Sequence, residues 1–147
     1  MKKILYFFII FFFSLKNYAQ QVPLYDKSGI ASAHIDYDEA ATIFLWDGTP
    51  LAFIEKGNED SFYIYGFNKL FLGFYKNGKI VDQQGMIVGA VIGIIDDVEY
   101  KQNHKIKGIQ RIIPIKPILP FKTYKTPKCE NKWSSTSLSD FLYLGKK

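Results

Sequence analysis

The sequence predicts an all-β domain of four repeated β-hairpins in a pseudo-fourfold arrangement, followed by an extended polyproline-II-like tail and a short C-terminal helix. Two observations carry this expectation. A pattern of apolar run, tight turn and apolar run occurs four times between Leu24 and Val91, and an apolar residue then falls at every third position from Ile106 to Phe121.

The chain of 147 residues opens with Lys2 and Lys3, an apolar run from Ile4 to Leu15, and a short polar stretch containing Ala19. That order is the signature of a secretory signal peptide. The run is also too short for the roughly 20 apolar residues of a bilayer-spanning helix. We therefore expect residues 1–19 to be a signal peptide cleaved after Ala19, export through the Sec pathway, and a mature protein in the periplasm or outside the cell, with no transmembrane segment. Loss of Lys2, Lys3 and Lys16 lowers Lys plus Arg from 19 to 16 against 14 Asp plus Glu, a mature charge near +2. Such a weak charge does not support a nucleic-acid partner. Cys129 is the sole cysteine, so no intramolecular disulfide and no multi-thiolate metal cluster can form.

The hairpin region is expected over residues 20–94. LYDKSGIASAHI begins at Leu24, LWDGTPLAFI at Leu45, IYGFNKLFLGFY at Ile64 and IVDQQGMIVGAV at Ile80. Two apolar runs across a Gly- or Asn-containing turn make a β-hairpin. Aligned on these starts, Leu24, Leu45, Ile64 and Ile80 share a core position, and Tyr25, Trp46, Tyr65 and Val81 share the next. Asp26, Asp47 and Asp82 fall just before the turn, where Asp bonds its own backbone. Beyond the turn a structural slot holds Ala33, Ala52, Gly73 and Gly89, all small, which implies close backbone approach there.

GFYKNGK, from Gly73, has the spacing of a phosphate-binding loop, but Ile80 stands where that loop needs Ser or Thr. Asn77-Gly78 reads instead as a two-residue turn.

The tail is expected over residues 95–136. Ile106, Ile109, Ile112, Ile115, Ile118 and Phe121 recur in threes, as do Pro114, Pro117 and Pro120, the repeat of a polyproline II helix. We expect this stripe to lie on the hairpin body and seal its apolar surface. The other reading is a docking arm, since preformed polyproline II segments cost little entropy to bind. A helix is expected over 137–145, with Ser137 capping it, Asp140 three residues on, Leu138, Phe141 and Leu142 on one apolar face, and Gly145 ending it.

His34 stands where other repeats have Phe53, Phe74 and Ala90, which makes it a packing residue; His104 lies in a polar run. The clusters Asp36, Asp38, Glu39 and Asp96, Asp97, Glu99 lack the spacing and glycine of a calcium loop and read as solvated connections. No metal, cofactor or catalytic residue is therefore assigned. The aromatic residues Tyr25, Trp46 and Tyr65 are the candidate ligand-binding positions, able to stack on a sugar or anchor a partner if exposed.

The hairpin positions, the YGFN and LWDG turns, the small-residue slot, the Ile/Pro tail and the closing WSSTSLSDFL together resemble the 4-fold β-flower family, over nearly all of the chain from Leu24 onward. Gly66, where other repeats have Asp, and the Ile-rich tail depart from its pattern. The resemblance implies four petal-like hairpins about a pseudo-fourfold axis in a small bacterial protein, and supplies no catalytic residues. We expect a non-catalytic binding or structural module of the bacterial cell envelope, its partner an envelope protein or a glycan. The alternatives are a carbohydrate-binding module using exposed aromatics, and a hydrolase with residues scattered on loops, which needs His34 and a carboxylate to converge in a cleft.

Overall fold

A computed structural model describes residues 20–57 and 61–146. The expected signal peptide lies outside the described residues. Eight antiparallel strands follow one another around a closed barrel: β1 (Gln21–Tyr25), β2 (Ala31–Asp36), β3 (Thr42–Leu45), β4 (Pro50–Lys56), β5 (Phe62–Gly66), β6 (Phe71–Lys76), β7 (Lys79–Asp82) and β8 (Ile87–Ala90). The barrel closes where Tyr25 of β1 pairs with Ala90 of β8. Closure removes the exposed strand edges that a four-hairpin sheet would otherwise offer.

The four hairpins β1β2, β3β4, β5β6 and β7β8 share one register. Leu24, Ile43, Ile64 and Ile80 stand opposite Ala33, Ala52, Gly73 and Gly89. The second repeat is therefore offset by two residues from the alignment made on sequence. Ile43, not Leu45, belongs with Leu24, and Phe44, not Trp46, belongs with Tyr25, Tyr65 and Val81. An LWDG that mimics LYD hid the slip, and a shift of two preserves the face, so the periodicity could not expose it.

The turns follow the corrected register. Backbone N–H groups of Gly29, Gly48, Lys69 and Gly85 donate to the carbonyls of Asp26, Leu45, Gly66 and Asp82. All four donors have φ between 73° and 88°, a conformation glycine adopts without strain. Two side-chain devices hold these turns. Asp26 and Asp82, at the first position, accept from the amides two and four residues on. Asp47 and Asn68, at the third, accept from Thr49 and Leu70. Asp47 thus sits inside its turn, not ahead of it.

Each hairpin also carries an irregularity at the same point, one extra residue in the second strand: Ser32, Leu51, Leu72 and Val88. A bulge of this kind interrupts the alternation of faces. Leu51, Leu72 and Val88 accordingly join the interior beside Ala52, Gly73 and Gly89 instead of pointing out. The residue that follows each bulge has no room for bulk. A Cβ on Gly73 would lie 2.2 Å from the Val81 carbonyl oxygen, and one on Gly89 would lie 2.9 Å from the Leu138 side chain.

That last contact shows what the small residues make room for. The helix α1 (Leu138–Tyr143) starts at Ser137, whose Oγ accepts from the Asp140 amide at 3.1 Å and donates to Asp140 Oδ2 at 2.7 Å. Its apolar face of Leu138, Phe141 and Leu142 is buried with the interior aliphatics Leu24, Ile43, Ile64 and Ile80. A helix of six residues has no independent stability. It persists here as a plug in the turn end of the barrel. Gly66 is explained by the same plug, since a Cβ there would fall 2.1 Å from the Cα of Gly145, where Asn68 Nδ2 donates to the Leu144 carbonyl.

The β6–β7 connection is the two-residue turn expected, with Asn77 and Gly78 at φ 50° and 74°, and no helix follows it. The β2–β3 loop uses the same kind of turn without the residues that favour it: Ala40 and Ala41 have φ 53° and 54° and are spanned by the bond from Thr42 N–H to the Glu39 carbonyl.

Ala41→Gly relieves a left-handed alanine and should raise unfolding stability by about 1 kcal/mol, measured by urea denaturation. Phe141→Ala, which empties part of the plug, should cost about 3–5 kcal/mol by the same measurement.

Candidate functional site

Residues after Ala90 form an arm that contains no helix or strand until α1 apart from one bridge, Ile87 with Trp133. The arm passes the four hairpins in chain order. Lys101 N–H donates to Gly29 O at the first turn; Gly108 and Arg111 donate to Trp46 O and Gly48 O at the second. Tyr124 meets the third hairpin, its ring stacked on Phe71 at 3.6 Å. Glu130 N–H donates to Gly85 O at the fourth. The turn glycines thus have a second role. A Cβ on Gly29, Gly48 or Gly85 would strike the arm's own backbone at Glu99, Ile109 or Lys128.

Beneath the arm lies a second apolar layer on the barrel's outer face. Phe53, Tyr63, Tyr65, Phe71, Phe74 and Val81 are buried there, with Ile113, Leu119, Tyr124 and Trp133 of the arm packed on them. Tyr63 and Tyr124 are tied further: the Tyr63 hydroxyl donates to the Tyr124 carbonyl and accepts from its N–H, both at 3.1 Å. Burial pushes the Tyr65 hydroxyl up to about 12, with Tyr124 adding to the rise.

The three candidate aromatics do not form an exposed row. Tyr25 meets Tyr100 edge to face; Trp46 donates its indole N–H to the Lys105 carbonyl at 3.0 Å; Tyr65 is only 3% exposed in the layer just described. Each seats a different part of the arm.

Where the arm passes from the first hairpin to the second the layer turns polar. His34, fully buried and stacked on Phe44, lies beside the buried carboxylate of Asp36. Gln110 of the arm reaches both, its Nε2 lying 3.1 Å from His34 Nε2 and 2.8 Å from Asp36 Oδ2. An amide nitrogen only donates, so His34 Nε2 accepts and the ring proton sits on Nδ1, which has no partner. Burial, helped by the Lys107 ammonium and opposed by Asp36, lowers the His34 pKa to about 4. Asp36 is subject to an opposite burial effect that would raise it, but hydrogen bonds from Gln110, Gln21 and the amides of Glu39 and Asp38 outweigh burial and hold it below its ordinary value. His34 and a carboxylate therefore do converge, yet on a side chain of the arm that fills the space and not in a cleft. Asp36 is also not the solvated loop residue expected from HIDYDEA, because it organises the β2–β3 connection from inside. His104 is exposed. No group of three or more His, Cys, Asp or Glu that could hold a metal ion occurs among the described residues.

The remaining surface of the arm overturns the expected direction of its stripe. Ile106, Ile109, Ile112, Ile115, Ile118 and Phe121 are each 86–107% exposed. The positions one ahead in the threefold repeat, Lys107, Gln110, Ile113, Lys116 and Leu119, are half-buried, as are Gly108, Pro114 and Pro117. Chemistry of the barrel wall selects that face. Asp36 and Glu55 are carboxylates, and Gln110 and Lys116 answer them, the latter 3.2 Å from Glu55 Oε1; the aromatic layer takes Ile113 and Leu119. A segment repeating in threes presents three faces, and here the most apolar of them is left in water.

A family model described as 4-fold beta flower protein matches residues 22–142. No curated protein and no solved structure matches the chain.

The burial of His34 has a pH signature. Above pH 6.5 the ring is neutral folded or unfolded; between about 6.5 and 4 the unfolded chain takes a proton that the folded one refuses, so stability falls by up to about 3 kcal/mol as pH drops through that window. His34→Phe keeps the ring stack and leaves Gln110 bonded to Asp36. It should fold with a change within about 1 kcal/mol at neutral pH and flatten this part of the stability profile, followed by urea midpoints from pH 7 to 4.

Proposed function

The chain belongs to the 4-fold beta flower family, and on that premise we propose that it is a non-catalytic binding module of the bacterial cell envelope whose working face is the solvent-facing row of the arm. The observation that carries this reading is the exposure of that row. Six large apolar side chains in line, all at least 86% exposed, form a larger apolar patch than a soluble surface normally tolerates without a partner. The rest of the molecule supplies rigidity: the arm is held by backbone bonds at three hairpin turns and by aromatic packing at the third hairpin, so the row is preorganised and little ordering entropy is lost on binding.

The site of action in this reading, the periplasm or the cell exterior after Sec export, rests on the order of lysines, apolar run and Ala19 at the N-terminus. No helix of the described residues is long and apolar enough to cross a membrane. The absence of a catalytic role is argued from His34, the one buried histidine, which is occupied by Gln110.

The test compares crosslinked capture from an envelope fraction by the chain from Gln20 onward, which contains every described element, and by the same chain with Ile109, Ile112, Ile115 and Ile118 changed to Ser. The exposed serines should leave the melting temperature unchanged while capture falls by roughly tenfold or more. Equal capture by both proteins places binding elsewhere and refutes this face as the site.

A further inference from the structure

We propose that the partner of this row is the surface of an anionic lipid bilayer, an inference that rests on the reading of the row as the binding face. The first support is charge. Residues 100–129 contain eight Lys or Arg and no Asp or Glu, although the chain as a whole carries 14 acidic residues. Of those cations, Lys107 and Lys116 turn inward to Gln21 and Glu55. Arg111 lies 3.7 Å from Asp47, but both side chains are more than half exposed, a pairing too weak to consume the charge. Lys105 and Lys122 are exposed and flank the row in sequence, Lys122 Nζ lying 5.0 Å from the Tyr124 ring centroid, and the exposed Lys125 and Lys128 follow. An apolar ridge edged by cations matches a membrane interface, where Ile and Phe enter the acyl boundary and Lys stays at the anionic headgroups.

The second support is shape. The row stands on the outside of a closed barrel and runs from the second hairpin, where Ile109 abuts Gly48, to the third, where Tyr124 stacks on Phe71. It therefore occupies one flank of the molecule instead of circling it. An open groove lined by Phe67, Asn68, Lys69, Ile115 and Ile118 runs beside the row, and a fluid bilayer can conform to such relief while the exposed side chains enter it. A second copy of the chain is disfavoured by the same charge count, since two rows meeting would bring cations against cations. The Gln110 and Lys116 side chains are spent on the barrel wall, and insertion of the exposed isoleucines into lipid asks for no polar contact from them.

The experiment is co-sedimentation of the chain from Gln20 onward with vesicles of phosphatidylglycerol and phosphatidylcholine, and with vesicles of phosphatidylcholine alone. Binding to the anionic vesicles, weakened by added salt and by Lys105→Gln with Lys122→Gln, and lowered roughly tenfold or more by the four-serine variant, is the expected result. Absence of binding to anionic vesicles, or binding that the four serines leave intact, overturns the inference. If vesicles are not bound but envelope capture still depends on the four isoleucines, the lipid assignment fails and the row remains a binding face for a protein or glycan. If neither depends on them, both fall.

Discussion

One residue too many in the second strand of each hairpin is the constraint on which the rest of this structure depends. Ser32, Leu51, Leu72 and Val88 are bulged at equivalent points. In three hairpins the bulge turns a large aliphatic residue inward next to the inward residue that follows it. Two neighbours on one face cannot both be large in an eight-stranded barrel whose bore only just admits side chains. The second is therefore Ala or Gly, and the space left at the turn end admits a short helix. The helix supplies Leu138, Phe141 and Leu142 to a core that strand residues alone leave open. Ser32 is the odd member, its hydroxyl buried without a partner, at the hairpin where the small residue is Ala33.

The plug dictates the path of the chain before it. A helix entering at the turn end must be reached from the last strand, and the chain covers that distance around the outside of the barrel. On the way it seals the aromatic layer at the third hairpin and the His34–Asp36 pair on β2, where the first hairpin borders the second. Arm and barrel are thus mutually required: without the arm the outer aromatics are exposed, and without the barrel the arm has no secondary structure to hold it. The solvent-facing isoleucines stand outside this logic. Nothing in the stability of the fold needs them, and that is why the functional reading falls on them.

Much of the architecture was legible from local signals. Turn residues and alternating runs marked four hairpins, Ser137 and the spacing of Leu138, Phe141 and Leu142 marked the helix, and the recurrence of Ala33, Ala52, Gly73 and Gly89 marked a crowded position. Legibility failed where the deciding partner was distant in sequence. Whether Ile112 or Ile113 faces the barrel depends on a wall contributed by Phe53, Tyr65 and Phe71, not on the arm's own period. The second repeat slipped because a LWDG resembling LYD outweighed the turn geometry, which places Leu45 and not Asp47 at the first position. Gln110 carried no signal at all, being one polar residue in a basic segment, although it is the side chain that occupies His34. The glycines of the turns did carry one: three of four are glycine where a left-handed residue is needed and an arm lies against the Cα.

The central claim is that the C-terminal helix is part of the barrel core and not an appendage. Native-state hydrogen exchange tests it directly, through the amide of Phe141, which donates to the Ser137 carbonyl at 2.9 Å, compared with strand amides of Ile43 and Ile64. If the account is right, the Phe141 amide exchanges only through global opening, with the same free energy and denaturant dependence as the strands. An opening free energy well below theirs, with little dependence on denaturant, would mean that the helix lifts off a barrel complete without it, and would contradict the account.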